Sequence, residues 1–403
     1  MLINNKSFIM KNFSVGIDIG TYQIKVVVVS DSIEAGKKNP EILGVGFAES
    51  KGLRHGYIIN SSDVSKSLKV AIAQAEHSSK LKIHNAYLSI GGIGLSSIVS
   101  KGSIMTSKAD MDITDADVQN VLEIAESEIP QTSIINKKII HSIPLSYKVD
   151  GQMIMGRPNN MKGNKLEVKA LFVVCIEQHL NDLISAVEKT GVDVLDIMAS
   201  PIAGSLVTLN KNQKTAGCVL ANIGSETVSI VVFENNIPIS LEVFPIGGTD
   251  ITNDIALGLR IPLNEAEQIK VSSIEPNFSK KKLEEIISAR LSDIFELIEA
   301  HLKKIGRNGL LPAGIILTGG GAGIGSIEDM AKLSLRLPSK VALVSFMSNS
   351  KNTQIKDSSW SVAYGLATWG LDNTEDIPEG IRITSNTKNF FSWLKDYIQK
   401  FLP

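Results

Sequence analysis

Two segments of the chain repeat one pattern at a distance of 204 positions. In the first, an apolar run from Val15 to Ile19 breaks at a small polar turn and resumes over 26–29. In the second, the run 219–223 breaks and resumes over 230–233. Apolar runs rich in β-branched residues on both sides of a short turn are typical of a β-hairpin. The repeat therefore constrains the chain to two similar halves and indicates a duplicated domain with its chemistry at the two turns.

Each turn contains a glycine with a hydroxyl side chain beside it, Gly20 with Thr21 and Gly224 with Ser225. Because glycine has no Cβ, backbone N–H groups at such a turn can approach an anion closely. In a single copy these would be interpreted as ordinary hairpin glycines, since short motifs are weak signals. Two copies in register favour a pair of turns that hold a polyphosphate between them.

A third glycine-rich element follows a strand-like stretch at 314–317 and contains Gly319, Gly320 and Gly321. A helical pattern over 327–337 comes next, so the glycines lie where a strand passes into a helix. Glycine removes side-chain bulk, and helix N-termini favour anions. The element predicts close approach of the backbone to a flat ligand or a phosphate.

In this order, Asp18 with its glycine turn, Asn222 with the second turn, and Thr318 before the three glycines resemble known motifs. They are similar to the phosphate 1, phosphate 2 and adenosine motifs of the actin, Hsp70 and sugar-kinase superfamily. Further segments resemble the FtsA family of bacterial actin-like cell-division proteins, at 53–58, 87–92, 141–144, 191–194 and 263–270. The resemblance runs from about Val15 to Gly370, with a matching tail.

The resemblance implies an α/β, two-lobed actin/Hsp70-like ATPase fold with an inserted small α+β subdomain in the first lobe and a C-terminal amphipathic helix. A length of 403 residues agrees, because it exceeds one ordinary domain. The expected parts are a first lobe (1A, actin-like) at 14–83, 167–203 and 362–371, an inserted subdomain (1C, SHS2-like) at 84–166, a second lobe (2A) at 204–248 and 310–361, a helical subdomain (2B) at 249–309, a linker at 372–387 and an amphipathic membrane-targeting helix at 388–403.

The resemblance also implies ATP as the cofactor, with Mg²⁺ held weakly at Asp18. Gly247 and Gly248, with the neighbouring Thr249, are expected to offer backbone donors near the phosphates. Glu267 and Lys270 match the adenosine-site pair of the family and lie three residues apart, hence on one helix face. A surface ion pair is the alternative for these two residues, since such pairs are common and weak.

Several positions depart from the motifs of the superfamily. Asn222 stands where an Asp is usual, Ser225 and Glu226 stand where glycines are usual, and Gln23 replaces a frequent Lys. Asn222 cannot supply a second negative charge to Mg²⁺, which prefers carboxylates, phosphate oxygens and water. Glu226 would repel phosphates if it faced them and would cost nothing if it faced solvent, and both orientations are open. We expect ATP to bind while hydrolysis is slow or absent.

The inserted subdomain contains short strands, a helix near 115–127 and a loop at 156–163 rich in Gly, Pro and Asn. In the FtsA family this part serves self-association in a protofilament and contacts with later division proteins. A surface decoration without partners is the alternative. The resemblance further implies that the helical subdomain receives the C-terminal tail of FtsZ. Arg290 and Lys280–Lys282 are candidates for an acidic peptide, although a solvated charged face is equally open.

When residues 388–403 are projected as a helix at ~100° per residue, they separate into an apolar half and a polar half. Aromatic and aliphatic residues fill one half of the circle, and Lys395 and Lys400 lie with the polar residues on the other half. This pattern suits the headgroup region of an anionic membrane. Packing on the body of the protein or on a partner is the alternative. The apolar half consists of Phe390, Phe391, Trp393, Leu394, Tyr397, Ile398, Phe401 and Leu402.

A net charge of −1 and a pI near 6.6 argue against nucleic acid as a partner, because no broad basic field is present. No apolar run reaches the ~20 residues of a spanning helix, and the N-terminal residues lack the apolar core of an export signal. Cys175 and Cys218 lie in apolar runs and are predicted to be buried thiols. We therefore expect a cytoplasmic protein, peripheral on the inner face of the cell membrane at the division site.

Three alternatives to this function stay open. A type IV pilus assembly protein resembling PilM shares the fold and insertion site, but would not be expected to carry the amphipathic tail. An actin-superfamily ATPase or phosphotransferase would need a carboxylate base facing a substrate pocket, and none is identifiable. A structural protein without nucleotide is the third, against which the retained Asp18 and the glycines at 319–321 argue.

Overall fold

The computed structural model of the chain describes residues 13–34, 37–107, 110–271, 279–342, 344–348 and 353–373. The predicted amphipathic helix at 388–403, with all ten of its predicted membrane-contacting residues, lies outside the described residues, as does the linker from 374 onward.

Strands and helices alternate along most of the chain. The strands are β1 (Phe13–Ile19), β2 (Gln23–Glu34), β3 (Lys37–Glu49), β4 (Leu53–Arg54), β5 (Tyr57–Ile58), β6 (Asn85–Ile90), β7 (Ser96–Met105), β8 (Lys137–Val149), β9 (Gln152–Ile154), β10 (Lys165–Ile176), β11 (Asp193–Ala199), β12 (Cys218–Ile223), β13 (Val228–Glu234), β14 (Ile237–Phe244), β15 (Ile315–Thr318), β16 (Ser339–Val341), β17 (Ser345–Ser348) and β18 (Thr353–Lys356). The α-helices are α1 (Ser61–Ser79), α2 (Asp115–Ser127), α3 (Gln131–Ile134), α4 (Glu177–Glu188), α5 (Ser200–Thr208), α6 (Lys211–Ala216), α7 (Gly248–Leu259), α8 (Leu263–Lys270), α9 (Lys280–Lys304), α10 (Ile327–Leu335) and α11 (Ser361–Asn373).

The first sheet has the strand order β11-β6-β1-β2-β3-β17-β18. β1 and β2 form the predicted antiparallel hairpin, and β6 runs parallel to β1. In β2, Val26 and Val28 share a core with α1, whereas Val27 and Val29 pack with α11. Because helices cover both faces, this strand is a continuous apolar run rather than an alternating one.

The second sheet has the order β14-β13-β12-β15-β16 and contains the second predicted hairpin, β12 with β13. Val219 and Ala221 share a core with α7, α9 and α10, while Cys218 and Leu220 face the core that continues into the first lobe. The two hairpins are thus alike in pairing and in burial on both faces, which is the structural form of the repeat seen in the sequence.

Helices α5 and α11 pack against each other between the two sheets. Their contact requires glycine, because a Cβ on Gly365 would lie 2.0 Å from the carbonyl oxygen of Ala203. Helix α11 lies on β1 and β2, and α5 contacts β12 and β13. This helix pair therefore joins the two lobes beneath the hairpins.

The inserted subdomain is a four-stranded sheet of order β7-β10-β8-β9, and α2 packs on one face of it. Helix α2 begins at the predicted position, where Thr114 and Asp117 form a capping box. The Oγ of Ser97 both donates to the carbonyl of Leu241 at 2.9 Å and accepts from its N–H at 2.8 Å. The inserted sheet is thereby fastened to β14 of the second lobe.

The sheets place three segments differently from the expected boundaries. Strand β6 belongs to the first sheet, although 84–166 was assigned to the insertion. Strand β10 pairs with β7 and β8, although residues 167–176 were assigned to the first lobe. Strands β17 and β18 extend the first sheet beside β3, although 310–361 was assigned to the second lobe. These assignments depend on long-range strand pairing, which a local pattern does not encode.

In the helical subdomain, the apolar residues of α9 recur at a helical period, and Leu291, Ile294, Ile298 and Leu302 are fully buried. Helix α1 is capped by Asn60, whose side-chain oxygen accepts from the Ser62 and Asp63 amides.

Candidate functional site

The two hairpin tips have the same backbone geometry. The N–H of Gly20 donates to the carbonyl of Gln23 at 3.2 Å, and the N–H of Gly224 donates to the carbonyl of Thr227 at 2.9 Å. A Cβ on either glycine would lie 2.9 Å from that same carbonyl oxygen. Both turns therefore need glycine for their tightness, and the duplication extends to individual atoms.

The two tips open into one cavity of about 1200 Å³ between the lobes. Its volume exceeds that of usual ligand-binding pockets, which measure roughly 300–1,000 Å³, so the cavity has room for a ligand as large as a nucleotide. The predicted site residues that line it are Asp18, Gly20, Thr21, Asn222, Gly224, Ser225, Gly248, Glu267, Lys270, Gly319, Gly320 and Gly321. Elements far apart in the sequence thus meet at one site, as the resemblance implies.

Asp18 lies at the end of β1, where its carboxylate faces the cavity. The Ser89 hydroxyl donates to Asp18 Oδ1 at 2.7 Å. Burial raises the pKa of Asp18, while the charge of Lys25 and the hydrogen bond from Ser89 act in the opposite direction. Lys25 and Ser89 therefore offset only part of the cost of burying the Asp18 carboxylate, and a cation bound beside it would stabilise its charged form.

Lys25 is a cavity residue that the sequence reasoning missed. It lies opposite Asp18 in the β1–β2 register and is only 9% exposed, with Nζ 5.8 Å from the Trp360 ring centroid. Burial lowers the pKa of Lys25, and the charges of Asp18 and Asp357 oppose this shift. Counting outward from the hairpin tip would have found the pair, because a four-residue tip at 20–23 places residues 19 and 24, and then 18 and 25, side by side.

The glycine-rich turn lies directly on the second hairpin. Gly319 has φ +90°, and a Cβ on it would lie 2.3 Å from Asn222 Oδ1. A Cβ on Gly321 would lie 2.4 Å from a side-chain carbon of Ile223. Gly320 has open space around it and belongs to a short 3₁₀ helix, Gly320–Gly323. The first and third glycines thus serve packing, while the middle one leaves room at the cavity.

The start of α7 differs from the expectation of free backbone donors. Gly247 N–H donates to Asp250 Oδ2 at 2.8 Å, Gly248 N–H to Gly224 O at 2.9 Å and Thr249 N–H to Ser225 O at 2.7 Å. The Gly248 and Thr249 amides hold the second hairpin tip in place, and the Gly247 amide caps the start of α7. None of the three is available to phosphates. Gly247 also does not line the cavity, so its predicted direct contact with a cofactor is not supported.

Glu267 and Lys270 form an ion pair of 2.7 Å within a larger network. The hydroxyl of Thr252 donates to Glu267 Oε2 at 2.5 Å, and Lys270 Nζ donates to the carbonyl of Gly248 at 3.0 Å. The Lys270 side chain is only 13% exposed. The pair is thus a partly buried link between α7 and α8 at the cavity wall, which separates it from an isolated surface pair.

Glu226 takes neither of the two orientations left open by the sequence. It is not among the residues that line the cavity. Its carboxylate accepts a hydrogen bond of 2.5 Å from the backbone N–H of His55 in the first lobe. A ring nitrogen of His55, Nδ1, also lies 3.3 Å from the carbonyl oxygen of Glu226. The side chain therefore crosses from one lobe to the other.

Metal ligands are sparse in the described part of the chain, which contains no cluster of three or more His, Cys, Asp or Glu residues placed to hold an ion. Asp18 remains the carboxylate predicted for Mg²⁺, with the neutral Asn222 beside it in the cavity lining. This donor set suits an ion that takes most of its ligands from water and phosphate.

The two cysteines lie in the hydrophobic core. Cys175 and Cys218 are buried free thiols, as predicted, and burial raises the pKa of each to about 12.

Arg290 pairs with Asp254 at 2.7 Å and with Asp293 at 3.2 Å, so its charge is already used within the helical subdomain. None of the described helices combines the length and the apolarity needed to cross a bilayer.

Two family models match the chain over these elements. The model "Cell division protein FtsA" matches residues 219–365, which include the second hairpin and the glycine-rich turn. The model "SHS2 domain inserted in FTSA" matches residues 92–174, which include the four-stranded inserted sheet. Together they span more than half of the chain. The chain belongs to the FtsA family.

Curated FtsA proteins agree with this assignment. Cell division protein FtsA of Pseudomonas aeruginosa is 28% identical over 385 residues, covering 90% of this chain and 90% of that protein. The protein of the same name from Bacillus subtilis is 29% identical over 385 residues, covering 89% of this chain and 83% of that protein. The resemblance found in the motifs is thereby confirmed over nearly the whole chain.

Solved structures confirm the two-lobed actin-like fold. A chain of the PilM–PilN type IV pilus biogenesis complex superposes with a TM-score of 0.66 at 17% identity, covering 89% of this chain and 98% of that chain. MreB5 of Spiroplasma citri bound to ADP superposes with a TM-score of 0.51 at 13% identity, covering 91% and 99%. The inserted small domain of the FtsA family, predicted from the sequence, is confirmed by the SHS2 match.

Proposed function

We propose that this FtsA-family chain binds ATP between its lobes and uses it as a structural signal for assembly at the membrane, with hydrolysis slow or absent. One observation carries the proposal: two geometrically equivalent glycine tips, Gly20 and Gly224, converge on one cavity that also contains a buried cation, Lys25. Narrow glycine tips admit phosphate oxygens close to the backbone, and a lysine adds a point charge for them.

The cavity offers separate places for the two ends of the nucleotide. Phosphates would lie between the hairpin tips, near Lys25 and the hydroxyls of Thr21 and Ser225. The adenosine would lie against the glycine turn at 319–321, with Glu267 and Lys270 on the opposite wall. MreB5, which shares the fold, is bound to ADP in its solved structure, which supports a nucleotide as the ligand of this chain.

Magnesium would be held mainly by the phosphates and water, with Asp18 as the carboxylate. Its chemistry, when bound, is to neutralise phosphate charge and fix phosphate geometry. Asp18 is suited to this because its buried carboxylate lies on the cavity wall, where a bound cation would offset the cost of burying its charge. Asn222 adds no charge, so the affinity for the ion is weak.

Slow hydrolysis follows from the commitments of the carboxylates at the cavity. A general base must reach the attacking water within about 3 Å. Asp18 accepts from Ser89, Glu267 is bound to Thr252 and Lys270, and Asp357 accepts from the N–H of Ser359 at 2.8 Å. Glu284, the fourth carboxylate of the cavity lining, belongs to α9 of the helical subdomain and to neither hairpin tip. Magnesium-dependent turnover that disappears on changing Asp18 would contradict this part of the proposal.

The remaining steps are mechanical. Subunits would associate into a protofilament, and the helical subdomain would hold the C-terminal tail of FtsZ. The three lysines at 280–282 are exposed at the start of α9 and are better placed for an acidic peptide than Arg290, which is already paired. The inserted subdomain would recruit later division proteins. The tail over 388–403 would anchor the filament on the inner membrane face, with many weak anchors adding up to firm binding.

Sedimentation with anionic liposomes tests the membrane role. The full chain, with and without ATP, is compared with a chain that ends at Thr387. We expect only the full chain to pellet and to carry FtsZ with it. Trp393→Glu, on the apolar half of the tail, should abolish pelleting, while Ser392→Glu adds the same charge to the polar half and should reduce it only slightly.

The same experiment separates the alternatives. If the full and shortened chains both stay in the supernatant, the tail packs on protein, and a pilus-type role or an enzymatic role gains support. Equilibrium binding of a fluorescent ATP analogue is measured in parallel. A chain that pellets but binds no nucleotide would be the structural protein without ATP.

A further inference from the structure

The Glu226–His55 contact joins the two lobes at the phosphate end of the cavity. Glu226 lies in the turn between β12 and β13, and His55 lies in the turn between β4 and β5, 171 positions earlier. Both side chains are half-buried. An N–H that donates to a carboxylate forms a charge-assisted bond, which is stronger than a bond between neutral groups.

The second-lobe side of the contact is rigidly held. The tip that carries Glu226 is fastened to α7 by the Gly248 and Thr249 amides, and the Ser225 and Thr249 hydroxyls lie 2.8 Å apart. A movement of this tip therefore moves the helical subdomain with it. Gly224 and Ser225, the neighbours of Glu226, line the cavity.

The first-lobe side is held equally well. His55 and Gly56 have φ of +48° and +87°, which gives a tight turn between β4 and β5. A Cβ on Gly56 would lie 2.5 Å from Cα of Gly92, so the turn packs directly on the Gly91–Gly92 loop. His179 supports that loop, with Nε2 3.1 Å from the carbonyl of Gly91 and its ring 4.6 Å from the ring of Tyr57.

We propose that Glu226 is a positioning residue that latches the lobes together and slows the release of nucleotide. Gly56, Gly91 and Gly92 on one side, and Gly224 on the other, line the same cavity. The latch therefore bridges the two walls that must separate for a polyphosphate to leave. The inference rests on the proposed nucleotide site for its consequence, but not for the latch itself.

Two variants separate the latch from simple charge repulsion. Glu226→Ala removes the acceptor, and Glu226→Gln keeps an acceptor oxygen but removes the charge. If the latch operates, release of a fluorescent ATP analogue in stopped flow becomes about tenfold faster in Glu226→Ala, from the loss of one charge-assisted bond. Release from Glu226→Gln stays within about threefold of the unchanged chain. If both variants release the analogue more slowly, Glu226 acts by repelling phosphates and the proposal is wrong.

His55→Gly is the matched control for the other half of the contact. Glycine keeps the backbone N–H and accepts the positive φ, so only the ring interaction is lost. We expect release to change by less than about threefold. If His55→Gly speeds release as much as Glu226→Ala does, the contact between the His55 ring and the Glu226 carbonyl holds the lobes together. The assignment to the Glu226 carboxylate would then be wrong.

Hydrogen exchange provides a readout without nucleotide. In the full chain, the peptide that spans 52–58 should exchange faster in Glu226→Ala than in the unchanged chain, while peptides from β12 stay protected. Equal exchange in both proteins would show that the latch does not form. A failure to bind the ATP analogue would count against the proposed function alone, because this exchange measurement does not depend on it.

Discussion

Asp18 and Asn222 hold the same position in the two hairpins, each two residues before the tip glycine and each on the wall of one cavity. Asp18 lies opposite Lys25, whereas Asn222 lies opposite Ser229. The two hairpins therefore share a backbone plan but differ in charge. The first hairpin supplies both an anion and a cation to the cavity, and the second hairpin supplies neutral donors and acceptors.

Asn222→Asp should strengthen Mg²⁺ binding to the nucleotide complex by about tenfold, because a second carboxylate then faces the ion. The measurement is a magnesium titration of ATP-analogue binding. Asn222→Ala, which adds no charge, is the control and should show no gain. An unchanged magnesium dependence in Asn222→Asp would show that this position does not face the ion.

Lys25→Met should weaken ATP binding by about 10- to 100-fold and leave adenosine binding unchanged, because the lost charge attracts the phosphates, which adenosine lacks. The variant should also lose about 3 kcal/mol of stability, since it leaves the Asp18 carboxylate without its cation. Calorimetric titration and denaturant unfolding measure the two effects. The double variant Lys25→Met with Asp18→Asn should recover stability but not ATP affinity. Equal losses for ATP and adenosine would contradict a phosphate contact.

Gly319→Ala should destabilise the fold by about 2–4 kcal/mol, since the added Cβ meets Asn222 in a conformation that favours glycine. Gly323→Ala is a matched control in the same turn, because its Cβ would meet no atom within 4 Å. Thermal unfolding of both variants tests the prediction. Equal melting temperatures would mean that the turn moves freely away from the second hairpin.

Local patterns in the sequence predicted both hairpins, the glycine-rich turn and α2. Each of these is encoded by nearby residues, which are β-branched runs around a glycine, the three glycines at 319–321, or the capping residue Thr114. That the two hairpin turns share one ligand was predicted from their repeat. That the glycine-rich turn joins them was predicted from the family resemblance, because no local pattern indicates which strands become neighbours.

The details that escaped prediction depend on contacts across the fold. Lys25 was overlooked because a lysine in a valine run is usually a solvent-facing residue, whereas here Trp360 and Asp357 enclose it. The orientation of Glu226 depends on His55, which lies in the other lobe. The amides at the start of α7 look free in the sequence but are used by the second hairpin tip. Arg290 was a candidate for an acidic peptide in the sequence, but in the fold it pairs with Asp254, which lies 36 positions earlier.

Asp196 provides a test by pH that is independent of nucleotide. It lies at an irregular pairing in β11, and burial raises its pKa to about 6, partly offset by a hydrogen bond of 2.7 Å from the Ile197 amide. In the unfolded chain an Asp has a pKa near 3.8. The folded chain therefore binds the proton more tightly, so this residue's contribution to stability is lost as the pH rises from about 4 through 6.

Asp196→Asn should consequently be more stable than the unchanged chain at pH 8, by about 1–2 kcal/mol, and equally stable near pH 4. Asparagine keeps an oxygen that can accept from the Ile197 amide, so the gain measures the buried charge alone. Denaturant unfolding across this pH range tests the prediction, with Asp193→Asn as the control because Asp193 is exposed on the same strand. A gain of equal size at both pH values would show that ionisation of Asp196 is not its cause.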